Sequence, residues 1–280
     1  MGRTLEIHEL VERSLFKQYR KSIWNPFTTA VKQYRLIQPG DRIAVCISGG
    51  KDSMLMAKLM QQLQKISVIP FQVIYLVMDP GYNENNRCKI EANAELLHIP
   101  ITIFESSIFE IVNNIEQSPC YLCARMRRGH LYAKAKELDC NKIALGHHMS
   151  DVIETTLMGM MYGSQIQGML PRLKSTNFDG MELIRPLYCV LEEYIIAWKQ
   201  TNALDFLQCA CRFTENCTMS DNGGGGSKRL EVKTLIKQLK QKNPQVERNL
   251  FNSIHRVNVD TLVGYKMENQ LHSFLERFDD

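Results

Sequence analysis

Six residues, Ser48-Gly49-Gly50-Lys51-Asp52-Ser53, constrain this chain more than any other stretch. Before them runs Arg42-Ile43-Ala44-Val45-Cys46-Ile47, an apolar, β-branched segment that reads as a buried parallel strand. After them Met54, Leu55, Leu59, Met60 and Leu63 recur at helical spacing, so a helix is predicted to open at or just after Asp52. A strand, a tight glycine turn and a helix N-terminus form an anion site. The glycines let backbone N–H groups approach a phosphate, and the helix dipole favours negative charge there. Lys51 and the hydroxyls of Ser48 and Ser53 add donors.

The stretch is not a Walker A loop. That motif needs glycine where Val45 sits, and Ser or Thr where Asp52 follows the lysine. Its order resembles instead the PP-loop of the ATP pyrophosphatases, which implies a cradle for the pyrophosphate end of ATP and adenylation of a substrate.

The 280 residues suffice for one large α/β domain with additions or for two modest domains. No apolar run approaches the ~18 residues of a membrane span, and the first residues lack a signal-peptide core. A cytoplasmic protein is expected, in which nine cysteines serve as thiols, metal ligands or redox groups rather than a disulfide framework. The net charge of +4 permits nucleic-acid binding without arguing for it.

In the first forty residues Leu10, Val11, Leu15, Tyr19, Ile23, Trp24, Phe27, Ala30 and Val31 fit one or two amphipathic helices with a basic polar side. Two readings fit equally: a packing or dimerisation helix, and a basic surface for an RNA backbone. Further strands are predicted at 71–78, 101–104, 142–145 and 183–187, and helices at 91–97, after the glycine turn, through 138, through 158 behind the 146–151 segment and over 192–201. Because ligands of open α/β sheets sit beyond the carboxyl ends of strands, Asp79 is placed to meet the nucleoside half of a nucleotide, or to serve the turn at Pro80-Gly81. Gly146-His147-His148-Met149-Ser150-Asp151 should face the same crevice, with His147 and Asp151 able to share a helix face. A magnesium ion held mainly by ATP and water needs one or two carboxylates, and Asp52 and Asp151 are the candidates. The methionine-rich segment 158–169 reads as filling for an irregular core, and residues 228–280 as charged amphipathic helices behind a Gly-rich flexible loop.

Cys120-Tyr121-Leu122-Cys123 stands at the start of a helical segment, followed by Arg125, Arg127 and Arg128. A helix N-terminus beside cations lowers thiol pKa values and makes good ligands or nucleophiles. Alone, the spacing fits half a zinc site, a redox pair or coincidence. The arginines suit a coat on a helix or a phosphate backbone. Cys209, Cys211 and Cys217 form a later group, while Cys46, Cys88, Cys140 and Cys189 read as structural.

Together, Ser48–Ser53, Cys120-x-x-Cys123 with Arg125-Met126-Arg127-Arg128-Gly129, and Leu145-Gly146-His147-His148 with Asp151 resemble the tRNA 2-thiocytidine synthetase (TtcA-type) family of PP-loop ATP pyrophosphatases. The likeness runs from about Pro39 through Cys211. It implies an α/β fold: a parallel-sheet PP-loop domain (adenine nucleotide α-hydrolase-like, Rossmann-like) over 39–219, with a helical extension at 1–38 and a Gly-rich loop and helical region at 220–280. It implies ATP held by Ser48, Gly49, Gly50, Lys51, Asp52, Ser53, Asp79, Gly146 and His147, with Lys51, Asp52 and Asp151 catalytic and Mg2+ on Asp52 and Asp151. It further implies a [4Fe-4S] cluster on Cys120, Cys123 and Cys211, with Cys209 as fallback, because the family's later Cys-x-x-Cys is here Cys209-x-Cys211. The implied reaction adenylates the C2 carbonyl of a cytidine in the anticodon loop and replaces its oxygen with sulfur from the cluster. A related substrate, another tRNA nucleoside or a small thiolated molecule, and a non-catalytic nucleotide- or cluster-binding sensor are the alternatives. The implied partners are tRNA, contacted by Arg125, Arg127 and Arg128, a sulfur donor (cysteine desulfurase or inorganic sulfide) and a second copy in a homodimer, with no membrane.

Overall fold

A strand apolar on both faces needs helices above and below it, and β1 (Arg42–Ile47) is buried along almost its whole length. The computed structural model describes residues 3, 5–108, 119–207 and 225–278, at 119–124, 225–227 and 277 through the backbone alone. β1 pairs in parallel with β2 (Gln72–Asp79) on one side and β4 (Lys142–Ala144) on the other. β3 (Ile101–Glu105) adds to β2 and β6 (Glu182–Ile184) to β4, also in parallel. β5 (Arg172–Lys174) closes that edge antiparallel to β6, giving the order β3-β2-β1-β4-β6-β5. The expected α/β class and parallel sheet are therefore present. In register, Ala44 lies opposite Ile74 and Ile143.

The connections are helical: α3 (Lys51–Ile66), α4 (Glu84–Leu96), α5 (Pro119–Glu137) and α6 (Met149–Gly163), with α7 (Glu192–Thr201) after β6. The chain reverses direction across the sheet between β1 and β4, so the crevice beyond their carboxyl ends is the switch point. At the N-terminus α1 (Ile7–Phe16) and α2 (Asn25–Gln33) are joined through a π turn at Arg20–Trp24. Pro26 sits in the first turn of α2, where a missing N–H costs nothing. Val11, Leu15, Ile23, Phe27 and Ala30 are buried as the amphipathic pattern predicts, whereas Leu10 is exposed. The Tyr19 hydroxyl meets Thr201 Oγ1 at 2.6 Å and ties this extension to α7.

Three expectations are corrected. Residues 158–169 do not fill a core: Met160, Met161, Tyr162 and Ile166 are exposed, because the buried part of α6 ends at Thr156. β5 was not foreseen, since three residues carry no periodicity and it forms by pairing, with Arg172 bidentate to Glu182 at 2.7 and 2.8 Å. The C-terminal segment is not wholly helical. Residues 232–280 form a unit of their own, in which the rest of α8 (Gly225–Lys242) and α9 (Val246–Ser253) are followed by a hairpin of β7 (Gly264–Met267) and β8 (Gln270–Ser273). Its turn residues, Glu268 and Asn269, both have positive φ, the primed turn that strand twist favours. Cys88, read as structural, is exposed on α4, while Cys46 and Cys140 are buried. Among the described residues no helix is long and apolar enough to cross a membrane.

One buried ion cluster holds the entry to the sheet. Lys142 in β4 is 2% exposed and reaches Asp41 Oδ2 at 2.7 Å, Glu182 Oε2 at 3.4 Å and the Leu36 carbonyl at 3.1 Å. Asp41 also accepts from the Gln38 N–H and from Asn141. Removing one member of such a cluster leaves a desolvated charge. Asp41→Ala is expected to lower the urea unfolding free energy by about 3 kcal/mol, and Lys142→Met, which strands the Asp41 and Glu182 carboxylates, by a similar amount.

Candidate active site

The glycine turn after β1 has the backbone that its residues predict. Gly49 has φ +83°, and a Cβ there would lie 2.6 Å from Ile90 Cγ1 and 2.9 Å from Leu207 Cδ1. Gly50 is the extended N-cap of α3, which opens at Lys51. Gly50 bridges in parallel to Leu207, whose N–H donates to the Gly49 carbonyl at 3.1 Å. The Ser53 hydroxyl donates to the Gly50 carbonyl at 3.0 Å and accepts from the Ser48 N–H at 3.1 Å, with Ser48 Oγ at 3.2 Å. Ser53 thus clips the loop shut, so its contribution to an anion is the shape of the turn.

Across the switch point, β4 runs into Leu145-Gly146-His147. A Cβ on Gly146 would stand 3.1 Å from Ser53 N and 3.2 Å from Asp52 C, both backbone atoms, so only glycine lets the two segments approach. His148, not His147, caps α6: its Nδ1 accepts from the Asp151 N–H at 3.3 Å, and Asp151 Oδ2 accepts from the His148 N–H at 3.0 Å. The expected shared helix face of His147 and Asp151 is corrected accordingly, since His147 precedes the helix. Both nevertheless line one cavity of about 310 Å³ with Ser48, Asp52, Ser53 and Gly146. Ile47, Met78, Leu131 and Leu145 give it apolar walls, which individual apolar residues in a sequence do not reveal.

Two buried atoms lining this cavity, Asp52 Oδ1 and His147 Nδ1, have no hydrogen-bond partner among the described residues. Buried polar atoms are almost always satisfied, so the pair, facing one cavity, is a candidate ligand contact. Burial pulls His147 down to about 4, helped by the Arg185 guanidinium, so its imidazole is neutral at pH 7. Arg185, just past β6, is itself pulled down to about 10 by burial and by Arg128 and stays charged.

Lys51 does not face this cavity. Its Nζ bonds Glu192 Oε1 at 2.9 Å and Asp52 Oδ2 at 3.1 Å, and it lines a neighbouring cavity with Gly50 and Lys199. Burial pulls its pKa down, but Asp52 and Glu192 outweigh that and hold it above the ordinary lysine value. Glu192 is 141 residues away, a pairing no local pattern announces. Asp79 sits at the end of β2, where its Oδ1 accepts from Gly81 N–H at 2.9 Å and Tyr82 N–H at 2.7 Å, and Arg87 approaches Oδ2 at 3.2 Å. The turn role is formed here, through these hydrogen bonds. Arg229 of α8, also unforeseen, reaches Asp151 Oδ1 at 3.6 Å and Glu154 Oε2 at 3.4 Å. Positions 120 and 123 fall on the first turn of α5. Cys209 and Cys211 lie outside the described residues. Of the three arginines, Arg127 lines the 310 Å³ cavity and donates to the Tyr82 hydroxyl at 3.1 Å, while Arg125 and Arg128 line a different groove.

Gly146→Ala is expected to push the start of α3 away. An overpacking cost of ~1–3 kcal/mol corresponds to roughly 10–100-fold weaker binding of a non-hydrolysable ATP analogue by calorimetry. For His147, an NMR titration of the nucleotide-free protein should give a midpoint near 4. The unfolded chain takes up that proton at about 6.5, so stability from this residue falls as pH drops between those values.

The PP-loop domain family model matches residues 19–212. Among curated relatives, the tRNA-cytidine(32) 2-sulfurtransferase of Pelobacter propionicus is 31% identical over 95% of each chain. That of Geobacter metallireducens is 31% identical over 90% of this chain and 95% of its own. Among solved structures, the U34-tRNA thiolase NcsA from Methanococcus maripaludis with its [4Fe-4S] cluster superposes with a TM-score of 0.65 at 21% identity, covering 87% of this chain and 80% of its own. The glycine-tight crevice at the β1/β4 switch point is the PP-loop site of that fold, and this chain belongs to the tRNA-cytidine(32) 2-sulfurtransferase family of PP-loop proteins.

Proposed function

We propose that the protein is an ATP-dependent tRNA sulfurtransferase that adenylates the C2 carbonyl of a cytidine in the anticodon loop and replaces its oxygen with sulfur. The observation that carries this reading is the pair of unsatisfied buried atoms, Asp52 Oδ1 and His147 Nδ1, lining a cavity at the PP-loop of a chain with tRNA-cytidine(32) 2-sulfurtransferase relatives. A carbonyl oxygen is a poor leaving group. Its attack on the α-phosphorus of ATP expels pyrophosphate, and a sulfide-level nucleophile then bonds C2 and expels AMP with the oxygen.

The chain's own groups support each part. The glycine turn at Gly49 and Gly50 and the N-terminus of α3 suit phosphates through backbone N–H donors and the positive end of the helix dipole, while the Ser48 N–H donates to Ser53 Oγ. Asp52 suits Mg2+, because its Oδ1 has no hydrogen bond among the described residues, with His148 Nε2 standing off at 3.6 Å. Asp151 is engaged by His148 and Arg229 and would serve the ion through water. Lys51, held by Glu192, keeps its charge for the departing pyrophosphate. Neutral His147 offers a hydrogen bond without a competing positive charge.

Positions 120 and 123 are one helical turn apart on α5, which suits two thiolates on one group. With Cys211, or Cys209 in its place, they would hold a [4Fe-4S] cluster, whose iron without a protein ligand supplies the sulfur. The reading assigns the catalytic work to 39–219 and a cytoplasmic location. It takes tRNA as partner, with cysteine desulfurase or inorganic sulfide as donor, and a homodimer as the assembly.

Anaerobically purified protein is expected to carry about four irons per chain and a dimer mass by light scattering. Iron should be lost on Cys120→Ala, Cys123→Ala and only one of Cys209→Ala and Cys211→Ala. With tRNA and ATP it should release AMP and form 2-thiocytidine by nucleoside mass spectrometry. Zinc in place of iron, or release of ADP, would overturn the reading.

A further inference from the structure

α5 carries two faces with different cations. Arg127 and Leu131, four residues apart, line the 310 Å³ cavity. Arg125, Arg128, Gly129 and Tyr132 follow the other i, i+3, i+4 stripe and line a separate groove of about 610 Å³ against the β5–β6 hairpin. We propose that this groove binds one nucleotide of single-stranded RNA beside the reacting base, through its phosphate and one face of its base. The inference rests on the tRNA reading above and names the strand's path on the protein.

Charge is the first argument. Arg125, Arg128 and Lys174 surround the groove, and no side chain lining it is acidic. None of the three has an ion pair or hydrogen bond among the described residues, although Arg87, Lys142 and Arg172 elsewhere in the fold are all paired. Three unmatched cations around one concavity complement a polyanion. Its volume lies within the range of small-ligand sites, which suits a single nucleotide.

Gly129 is the second argument. In mid-helix, glycine costs about 1 kcal/mol relative to alanine. A Cβ at Gly129 would meet nothing within 4 Å, so no packing inside the protein demands it. Its effect is a strip of bare backbone at the groove, where a flat base can lie close. The floor beside it is rigid: Tyr132 and Phe178 stack with ring centroids 5.1 Å apart, and the Tyr132 hydroxyl bonds Ser175 of the hairpin loop. Asn177 on the same loop lines the groove with an amide able to read a base edge.

Gly129→Leu separates the binding role from a structural one, because it fills the groove while improving helix propensity. By fluorescence anisotropy with an anticodon stem-loop RNA, Gly129→Leu and Arg128→Ala should each weaken binding about tenfold or more. Thermal stability of Gly129→Leu should be unchanged or higher, and binding of a non-hydrolysable ATP analogue should be unchanged in both. Lys174→Ala should lower the slope of log affinity against log salt by about one. RNA binding by the parent protein with no loss in Gly129→Leu and Arg128→Ala would overturn the groove and leave the tRNA reading standing. No RNA binding by the parent protein would overturn both.

Discussion

The site exists because two backbone segments come closer than side chains would permit. Gly146, leaving β4, packs against the first turn of α3 at Asp52 and Ser53, and a single added carbon would stand 3.1 Å from a backbone nitrogen. That approach sets the distance between the glycine turn after β1 and the start of α6. Ser48, Asp52, Ser53 and His147 therefore share one small cavity. The rest of the loop is arranged around the same constraint: Ser53 clips it from within and Leu207 holds it from outside. Shape comes from backbone here, and side chains supply the charge.

Where those charges are matched separates framework from function. Lys58 meets Glu12 and the Leu97 carbonyl, and Lys142 meets Asp41 and Glu182. Each is a buried cation with its compensation built in, as desolvation requires. At the cavity, Asp52 Oδ1 and His147 Nδ1 have no hydrogen bond among the described residues, and Arg125, Arg128 and Lys174 along the groove have no ion pair there. Unmatched polar groups that gather around one concavity are candidate ligand contacts. On this view α5 lies between a nucleotide cavity on one side and a basic groove on the other.

Much of the fold was legible because its signals are local. The run Arg42–Ile47 is apolar without alternation, which only a strand covered on both faces tolerates. Gly49 and Gly50 between it and a helical pattern left few alternatives to a phosphate turn. Less legible were β5, too short to show a period, and the hairpin at Gly264–Ser273. The Glu268-Asn269 turn of that hairpin lacks the glycine that usually announces it. Residues 158–169 misled for a different reason. Methionine and isoleucine there are exposed among the described residues, and composition does not report neighbours.

The residue types able to do the chemistry were determined by the sequence itself: a lysine, aspartate and hydroxyls on a glycine turn, a histidine-aspartate segment after a strand, and spaced cysteines. Which of them meet was decided by tertiary structure. Backbone hydrogen bonding sets His148 rather than His147 as the helix cap, turning the buried His147 imidazole to the cavity. Glu192 draws Lys51 aside across 141 residues. The twist of one helix between two walls parts Arg127 from Arg125 and Arg128. Local propensity depends on neighbours in the chain, whereas pairing and desolvation depend on neighbours in space.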